Sequence, residues 1–279
     1  PEFYASKFGA HRLDTPSIAL LKGIERAAAG FADHVIISNH LWRDKYATRT
    51  GTEGNCSVFI NNVDARIFHP RPRLRKDGRF VLLFPGGLQW HQGLDIAIQA
   101  FSKVSPHLPQ AEFHIYGDGN MKPNLMALAR QLELEDKIRF FEPIPVRDVV
   151  QVMADADLGV VPKRADSFGN EAYSTKIMEF MSLGIPVVVS ETRIDSFYFS
   201  NQEVRFFESG NVDALAGAIL ELAQNPERRE LLAKNGLAYA ARHSWETRKP
   251  EYLRLVDSLI AGQPAIVPDP RATHGLPVD

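Results

Sequence analysis

DSFGNEAYSTKIMEFMSLGIPVVVS, residues 166–190, is the stretch around which the rest of the chain is organised. Two carboxylates, Glu171 and Glu179, stand eight positions apart in it. Glu179 sits inside the run Ile177, Met178, Phe180, Met181 and Leu183, whose residues cover most of a helix's circumference and predict a buried helix. A carboxylate in such a helix is costly unless something pairs with it. Ser174 and Thr175 are good helix-starting residues. Lys176 in the first turn opposes the helix dipole, which makes sense if an anion lies at that end, where free backbone N–H groups point. Gly184 ends the helix. After Pro186, Val187–Val189 reads as a buried parallel strand. The residues alone leave a plainer alternative open: Glu179 as a core carboxylate bonded within the protein, and Lys176 as a solvated surface residue.

The surrounding chain repeats this loop, helix and strand pattern. Strands are expected near 79–85, 112–116, 137–141, 158–162, 186–190 and 204–208. Helices are expected near 93–103, 122–134, 146–154 and 175–183 between them, and near 212–224, 227–241 and 246–261 after them. Strict alternation predicts an α/β fold, a parallel sheet with helices on both faces. Ligands in such sheets bind at the carboxyl ends of the strands. That directs attention to the loops Pro85–Gly93, Gly117–Asn120, Glu142–Pro145, Lys163–Ser174 and Ser190–Arg193. Upstream, helices at 17–30 and 40–49 and strands at Val35–Ser38 and Cys56–Ile60 read as αβαβ, too few strands for a complete doubly wound sheet. Residues 63–78 hold two prolines and the cluster Arg71, Arg73, Arg75 and Lys76, and read as a solvated linker, centred on 68–78.

Composition excludes more than it identifies. The 279 residues are 44% hydrophobic and 24% charged, with a net charge of −2, which gives no reason to expect nucleic-acid binding. Cys56 is the only cysteine and the nine histidines lack metal-ligand spacing, so neither a disulfide framework nor a metal site is expected. No apolar run reaches membrane-span length. The single cysteine fits a cytoplasmic setting. The opening PEFYASKFG reads as the middle of a longer chain, and 262–279 as a proline-rich tail. The glycine loop PGGLQWHQG at 85–93 is neither a G-x-G-x-x-G fingerprint nor a P-loop, which disfavours a dinucleotide oxidoreductase.

Several motifs in order resemble one family. KIMEFMSLGIPVVVS, FPGGLQWHQGLDIAIQAF, FHIYGDG and the Glu-x7-Glu pair Glu171 and Glu179 resemble the nucleotide-sugar half of retaining glycosyltransferases of family four, often called group 1, with the GT-B fold. ADHVIISNHLWRDKY and SVFINNVDARIFHP resemble the end of that family's acceptor-side domain and its crossover. The resemblance implies a remnant acceptor-side Rossmann-like domain at 1–67, a linker at 68–78, a complete doubly wound nucleotide-sugar domain at 79–261 and a tail at 262–279.

It implies a nucleoside-diphosphate sugar as donor substrate, no further cofactor and no metal. Glu171 would be catalytic, holding hydroxyls of the donor sugar. Glu179 would accept from the ribose. Ser174, Thr175 and the helix start would receive the diphosphate, with Gly86, Gly87, Gln92 and Gly117 lining the loops. The family carries an Arg and a Lys where this chain has Gly87 and Gln92; Lys163, Arg164 or Lys176 would replace those cations, or activity would be reduced or absent. The acceptor is unspecified. The family's lipid-linked glycans make peripheral contact with the inner membrane face an open option. A nucleotide-sugar 2-epimerase of the same fold and a non-catalytic donor-binding module remain as alternatives.

Overall fold

The computed structural model describes residues 15–166 and 168–263, so most of the expected tail lies outside the described residues. The chain divides into two compact units. Among the described residues, one holds 15–62, Glu171–Tyr173 and 245–263. The other holds Val63–Asn170 and Ser174–Ser244.

In the first unit, helix α1 (Pro16–Phe31) starts at Thr15, whose side chain accepts from the Ile18 amide. Strand β1 (Val35–Ile37) follows. Helix α2 (His40–Thr50) is capped by Asn39, which accepts from Trp42 N, and stops at Gly51 in the left-handed conformation. Strand β2 (Cys56–Val58) pairs parallel to β1, with Val35 opposite Cys56.

The second unit is built on strands β3 (Phe80–Pro85), β4 (Ala111–Tyr116), β5 (Ile138–Phe141), β6 (Leu158–Val161), β7 (Val187–Glu191) and β8 (Arg205–Glu208). They form one parallel sheet in the order β5-β4-β3-β6-β7-β8. The chain runs outward from β3 to β5, then returns to lay β6 on the other side of β3. The switch point therefore falls between β3 and β6, where such sheets open a crevice at their carboxyl ends. β3 and β6 are buried along their whole length, as their unbroken apolar sequences require.

The intervening helices are, in chain order, α3 (Leu94–Val104), α4 (Lys122–Gln131), α5 (Val146–Ala154), α6 (Thr175–Ser182), α7 (Arg193–Tyr198), α8 (Val212–Gln224) and α9 (Pro226–Arg242). α3 and α8 pack together, and Phe84, Phe101 and Phe113 lie fully buried in the core they share with the sheet. α9 lies on α6, and Tyr239 Oη anchors it by donating to the Tyr198 carbonyl at 2.8 Å.

Three features differ from the sequence reading. α7 begins at the end of the expected Ser190–Arg193 loop and runs on where no helix was expected; Thr192 starts it by accepting from Asp195 N. The basic stretch before β3 is bound to the second unit and not loosely solvated. Arg73 makes a two-pronged pair with Asp157 at 2.6 and 2.9 Å, and Arg75 reaches Asp157 at 2.5 Å. Leu74 N donates to Asp155 Oδ1 at 2.6 Å. Finally, helix α10 (Trp245–Ile260), expected within the nucleotide-sugar domain, groups with the first unit. There the Tyr252 ring meets Phe59 edge-on at 5.4 Å, and the Arg248 guanidinium lies 5.8 Å from the Phe59 ring centre.

Candidate functional site

The loops that leave β3, β4 and β6 are joined by backbone hydrogen bonds at the switch point. Gly86 N donates to Tyr116 O at 2.8 Å, and Leu88 N donates to Asp118 O at 2.9 Å. Arg164 N donates to His91 O at 2.9 Å, bringing in the loop after β6. Glycine makes this approach feasible. Gly117 has a φ of 142°, and a Cβ there would collide with the Gly86 carbonyl oxygen. Gly93 has a φ of 68°, and a Cβ there would collide with the Pro162 carbonyl oxygen.

α6 points its N-terminus from the chain segment that follows the β6 loop. Ser174 occupies its N-cap position but makes no side-chain capping bond. The Thr175 hydroxyl, one turn before Glu179, favours the charged form of that carboxylate. First-turn N–H groups thus lack the side-chain cap that a Ser or Thr usually supplies. Lys176 extends into the glycine loop after β3. Its stem fills the space where Gly86 lacks a side chain, and its ammonium lies 5.2 Å from the centre of the Phe84 ring. The same ammonium donates to Gln92 Oε1 at 3.3 Å, while Gln92 Nε2 donates to His91 Nε2 at 3.0 Å. His91 is itself buried, edge-on to Phe168 at 5.1 Å.

This enclosure shifts both titratable groups of α6. Burial lowers the Lys176 ammonium pKa, with Glu179 and Asp195 opposing that shift and Lys163 adding to it. Burial raises the Glu179 carboxyl, partly offset by Lys176 and by the Thr175 hydrogen bond. A lysine and a glutamate one turn apart, each penalised for being charged, are suited to a ligand carrying phosphate and hydroxyl groups.

The other expected cations already have protein partners. Lys163 pairs with Asp195 of α7 at 2.8 Å, both side chains almost fully buried, and Thr192 Oγ1 donates to the same Asp195 oxygen at 2.5 Å. The Arg164 guanidinium pairs with Asp95 at 2.5 Å, donates to Trp90 O at 3.2 Å and lies 4.5 Å from the Trp90 ring centre. Gly86, Gln92, Gly117, Thr175, Lys176 and Glu179 therefore gather at the switch point, whereas Lys163 and Arg164 brace the surrounding loops. Gly87 follows Gly86, with the Gln89 side chain occupying the space a Cβ would need.

Glu171 belongs by its contacts to the first unit. It is 6% exposed. Asn39 Nδ2, at the start of α2, donates to its backbone carbonyl at 3.1 Å. Lys45 of α2 forms an ion pair with Glu171 Oε1, while the buried Oε2 has no hydrogen-bond partner. Sequence reasoning missed Lys45, which lies 126 positions from its partner. It also missed Asp195, although Thr192-x-x-Asp195 is a helix-start pattern. Among the described residues, no group of three or more His, Cys, Asp and Glu side chains could hold a metal, and no helix is long and apolar enough to cross a membrane.

Comparison with solved structures identifies this architecture. Sucrose-phosphate synthase from Thermosynechococcus elongatus superposes with a TM-score of 0.78 at 18% identity, covering 94% of this chain and 67% of that one. Anabaena Alr3699/HepE, in complex with UDP, gives 0.74 at 20% identity, covering 89% and 71%. The fold is that of the GT-B glycosyltransferases. In sequence, the D-inositol 3-phosphate glycosyltransferase of Thermomonospora curvata is 26% identical over 258 residues, 84% of this chain and 58% of that protein. Its counterpart in Corynebacterium urealyticum is 28% identical over 189 residues, 64% of this chain and 43% of that protein. The chain thus spans about half the length of the curated relatives it matches. Residues 65–238 match the family model described as glycosyl transferases group 1. With well over half of its length matched, including every strand of the larger sheet, the chain belongs to the group 1 glycosyl transferases.

Proposed function

We propose that the protein takes a nucleoside-diphosphate sugar as donor and transfers the sugar to an acceptor with retention at the anomeric carbon. The observation that carries this reading is the position of Lys176: its ammonium enters the glycine loop beside Gln92, one turn before the half-buried Glu179. Its cation and the open N-terminus of α6 suit a diphosphate, and they would stabilise negative charge as that group leaves. Glu179, one turn into the same helix, suits the ribose hydroxyls as a hydrogen-bond acceptor. Glu171 takes hydroxyls of the transferred sugar in this reading, through the oxygen that no protein group satisfies.

A curated relative in Corynebacterium glutamicum is a GDP-mannose-dependent monoacylated alpha-(1-6)-phosphatidylinositol monomannoside mannosyltransferase, 26% identical over 158 residues. That name supports a lipid-borne glycan as the acceptor class; working at the inner face of a membrane is part of the same proposal. The direct test is calorimetry with UDP, GDP, ADP and their sugars, followed by product analysis with a labelled donor. Binding of one nucleotide together with a labelled, retained glycosidic product is the expected result. Absence of binding to every nucleotide would sink the reading. A second reading, a donor-binding module without catalysis, is favoured by Gly87 and Gln92 standing where the family carries cations; it expects nucleotide binding without turnover by the full-length protein.

A further inference from the structure

Glu171 is half satisfied. Its carboxylate is buried, one oxygen is paired with Lys45, and the other has no hydrogen-bond partner. A buried carboxylate oxygen without a donor loses the hydration it has in the unfolded chain and gains nothing in return. The paired oxygen, in contrast, meets the Lys45 ammonium; the Glu171 side chain is 7% exposed and that of Lys45 41%, and the charge-assisted contact gives that oxygen a directed partner. The backbone at the same residue is fixed as well, because Asn39 donates to the Glu171 carbonyl. Asn39 and Lys45 flank the first turns of α2, so one helix holds Glu171 by both its main chain and its side chain.

We infer that Lys45 is a positioning residue for sugar recognition: it pins Glu171 Oε1 so that Oε2 presents a fixed acceptor to a hydroxyl of the donor's sugar. The inference rests on the proposed donor reading and adds a residue to it. Lys45 touches neither donor nor acceptor in this scheme; it acts through Glu171. The chemical class it selects for is a polyhydroxylated ring, since the open group is an acceptor and the ligand must supply the O–H. In this scheme the sugar and nucleotide roles fall on different residues. Loss of Lys45 frees Glu171 to rotate, while the Lys176 and Glu179 pair on α6 is untouched.

The test compares Lys45→Met and Lys45→Arg in the full chain, with calorimetry against UDP, GDP, UDP-glucose and GDP-mannose. Methionine preserves much of the apolar stem that a lysine packs along a helix, and arginine preserves the charge. The expected result with Lys45→Met is an affinity for the nucleotide sugar about tenfold weaker, the scale of a charged hydrogen bond, with affinity for the bare nucleotide changed by less than about twofold. Lys45→Arg restores most of the difference. Equal losses for nucleotide and nucleotide sugar in Lys45→Met mark Lys45 as a structural residue and overturn the inference. So does unchanged sugar binding in that variant. If wild-type protein binds bare nucleotide but gains nothing from the attached sugar, the sugar role of Glu171 falls and Lys45 falls with it. Failure of wild-type protein to bind any of the four ligands overturns the donor reading itself.

Discussion

The ammonium of Lys176 and the side-chain oxygen of Gln92 are hydrogen-bonded at 3.3 Å, although 84 positions separate the two residues. A helix-borne cation thus enters the loop where a loop-borne one would be expected from the family pattern. It also explains the glycine at position 86, since the lysine stem fills the volume of the missing side chain.

Replacing Lys176 by Met should weaken binding of a nucleoside diphosphate by roughly 1.5–3 kcal/mol, the scale of a hydrogen bond to a charged group. Binding of the parent nucleoside should change much less. Calorimetry with UDP and uridine, or GDP and guanosine, measures the difference. Burial lowers the pKa of Lys176, so wild-type affinity for the diphosphate should fall with rising pH before an ordinary lysine would titrate. Lys176→Met should lack that fall. Equal losses for nucleoside and diphosphate would make Lys176 a structural residue without a ligand role.

Glu179→Gln should have opposite effects on binding and on the ligand-free fold. Burial raises the Glu179 carboxyl pKa, so the folded state retains a proton that the unfolded chain has released. Ionisation therefore destabilises the fold; the loss is absent in acid below the ordinary glutamate value and complete above the raised one. The Gln variant cannot ionise, so it should be more stable than wild type at neutral pH and match it more closely in acid. Nucleotide affinity should drop, again by roughly 1.5–3 kcal/mol. Thermal unfolding across pH and calorimetry at one pH test the two halves separately.

Glu171→Gln should spare the bare nucleotide and impair the nucleotide sugar. An amide keeps one acceptor oxygen but no charge, so its bond to a hydroxyl weakens and its ion pair with Lys45 is lost. Titration with UDP and UDP-glucose, or GDP and GDP-mannose, measures the split. If Glu171→Gln and Glu179→Gln lose bare nucleotide equally, the assignment of one to sugar and the other to ribose is wrong.

Gly117→Ala should destabilise the fold by roughly 1–3 kcal/mol, because the new methyl meets the Gly86 carbonyl oxygen and the backbone has a φ of 142°. Ala at Gly210 is a useful contrast. Its φ of 84° also disfavours a side chain, but nothing lies within 4 Å of a Cβ there. A melting temperature lower for Gly117→Ala than for Gly210→Ala is the expected order.

Much of this architecture was legible from local pattern. The apolar runs at Phe80–Pro85 and Val187–Val189 can only be strands buried on both faces, and the Ile177–Leu183 helix carries its own start and stop residues. Six-residue α7 was not found because its apolar face is too short to show a period, although its Thr192 and Asp195 pattern was available. The grouping of α10 was hidden for another reason. Its amphipathic pattern announces a helix but does not name the surface it covers, and that surface includes Phe59, nearly two hundred positions earlier. The same limit applies to the site. Spacing within 171–179 pointed to Glu171 and Glu179, but the partners Lys45, Asp195 and Asp95, and the pairing of Gln92 with Lys176, are brought in by the fold alone.

Asp157 receives Arg73, Arg75 and the Val81 amide on one carboxylate, and so joins the stretch before β3 to the start of the strand itself. In terms of proteolysis, the chain's densest run of trypsin targets, Arg73, Arg75 and Lys76 (the Arg71–Pro72 bond resists trypsin), lies in a stretch held along a folded surface. A protease must extend several residues of substrate to cleave, so these bonds have to open first. Early trypsin nicking within 73–76 would therefore report how often the Asp157 ion pairs break, and added salt, by screening the exposed part of those pairs, should hasten it.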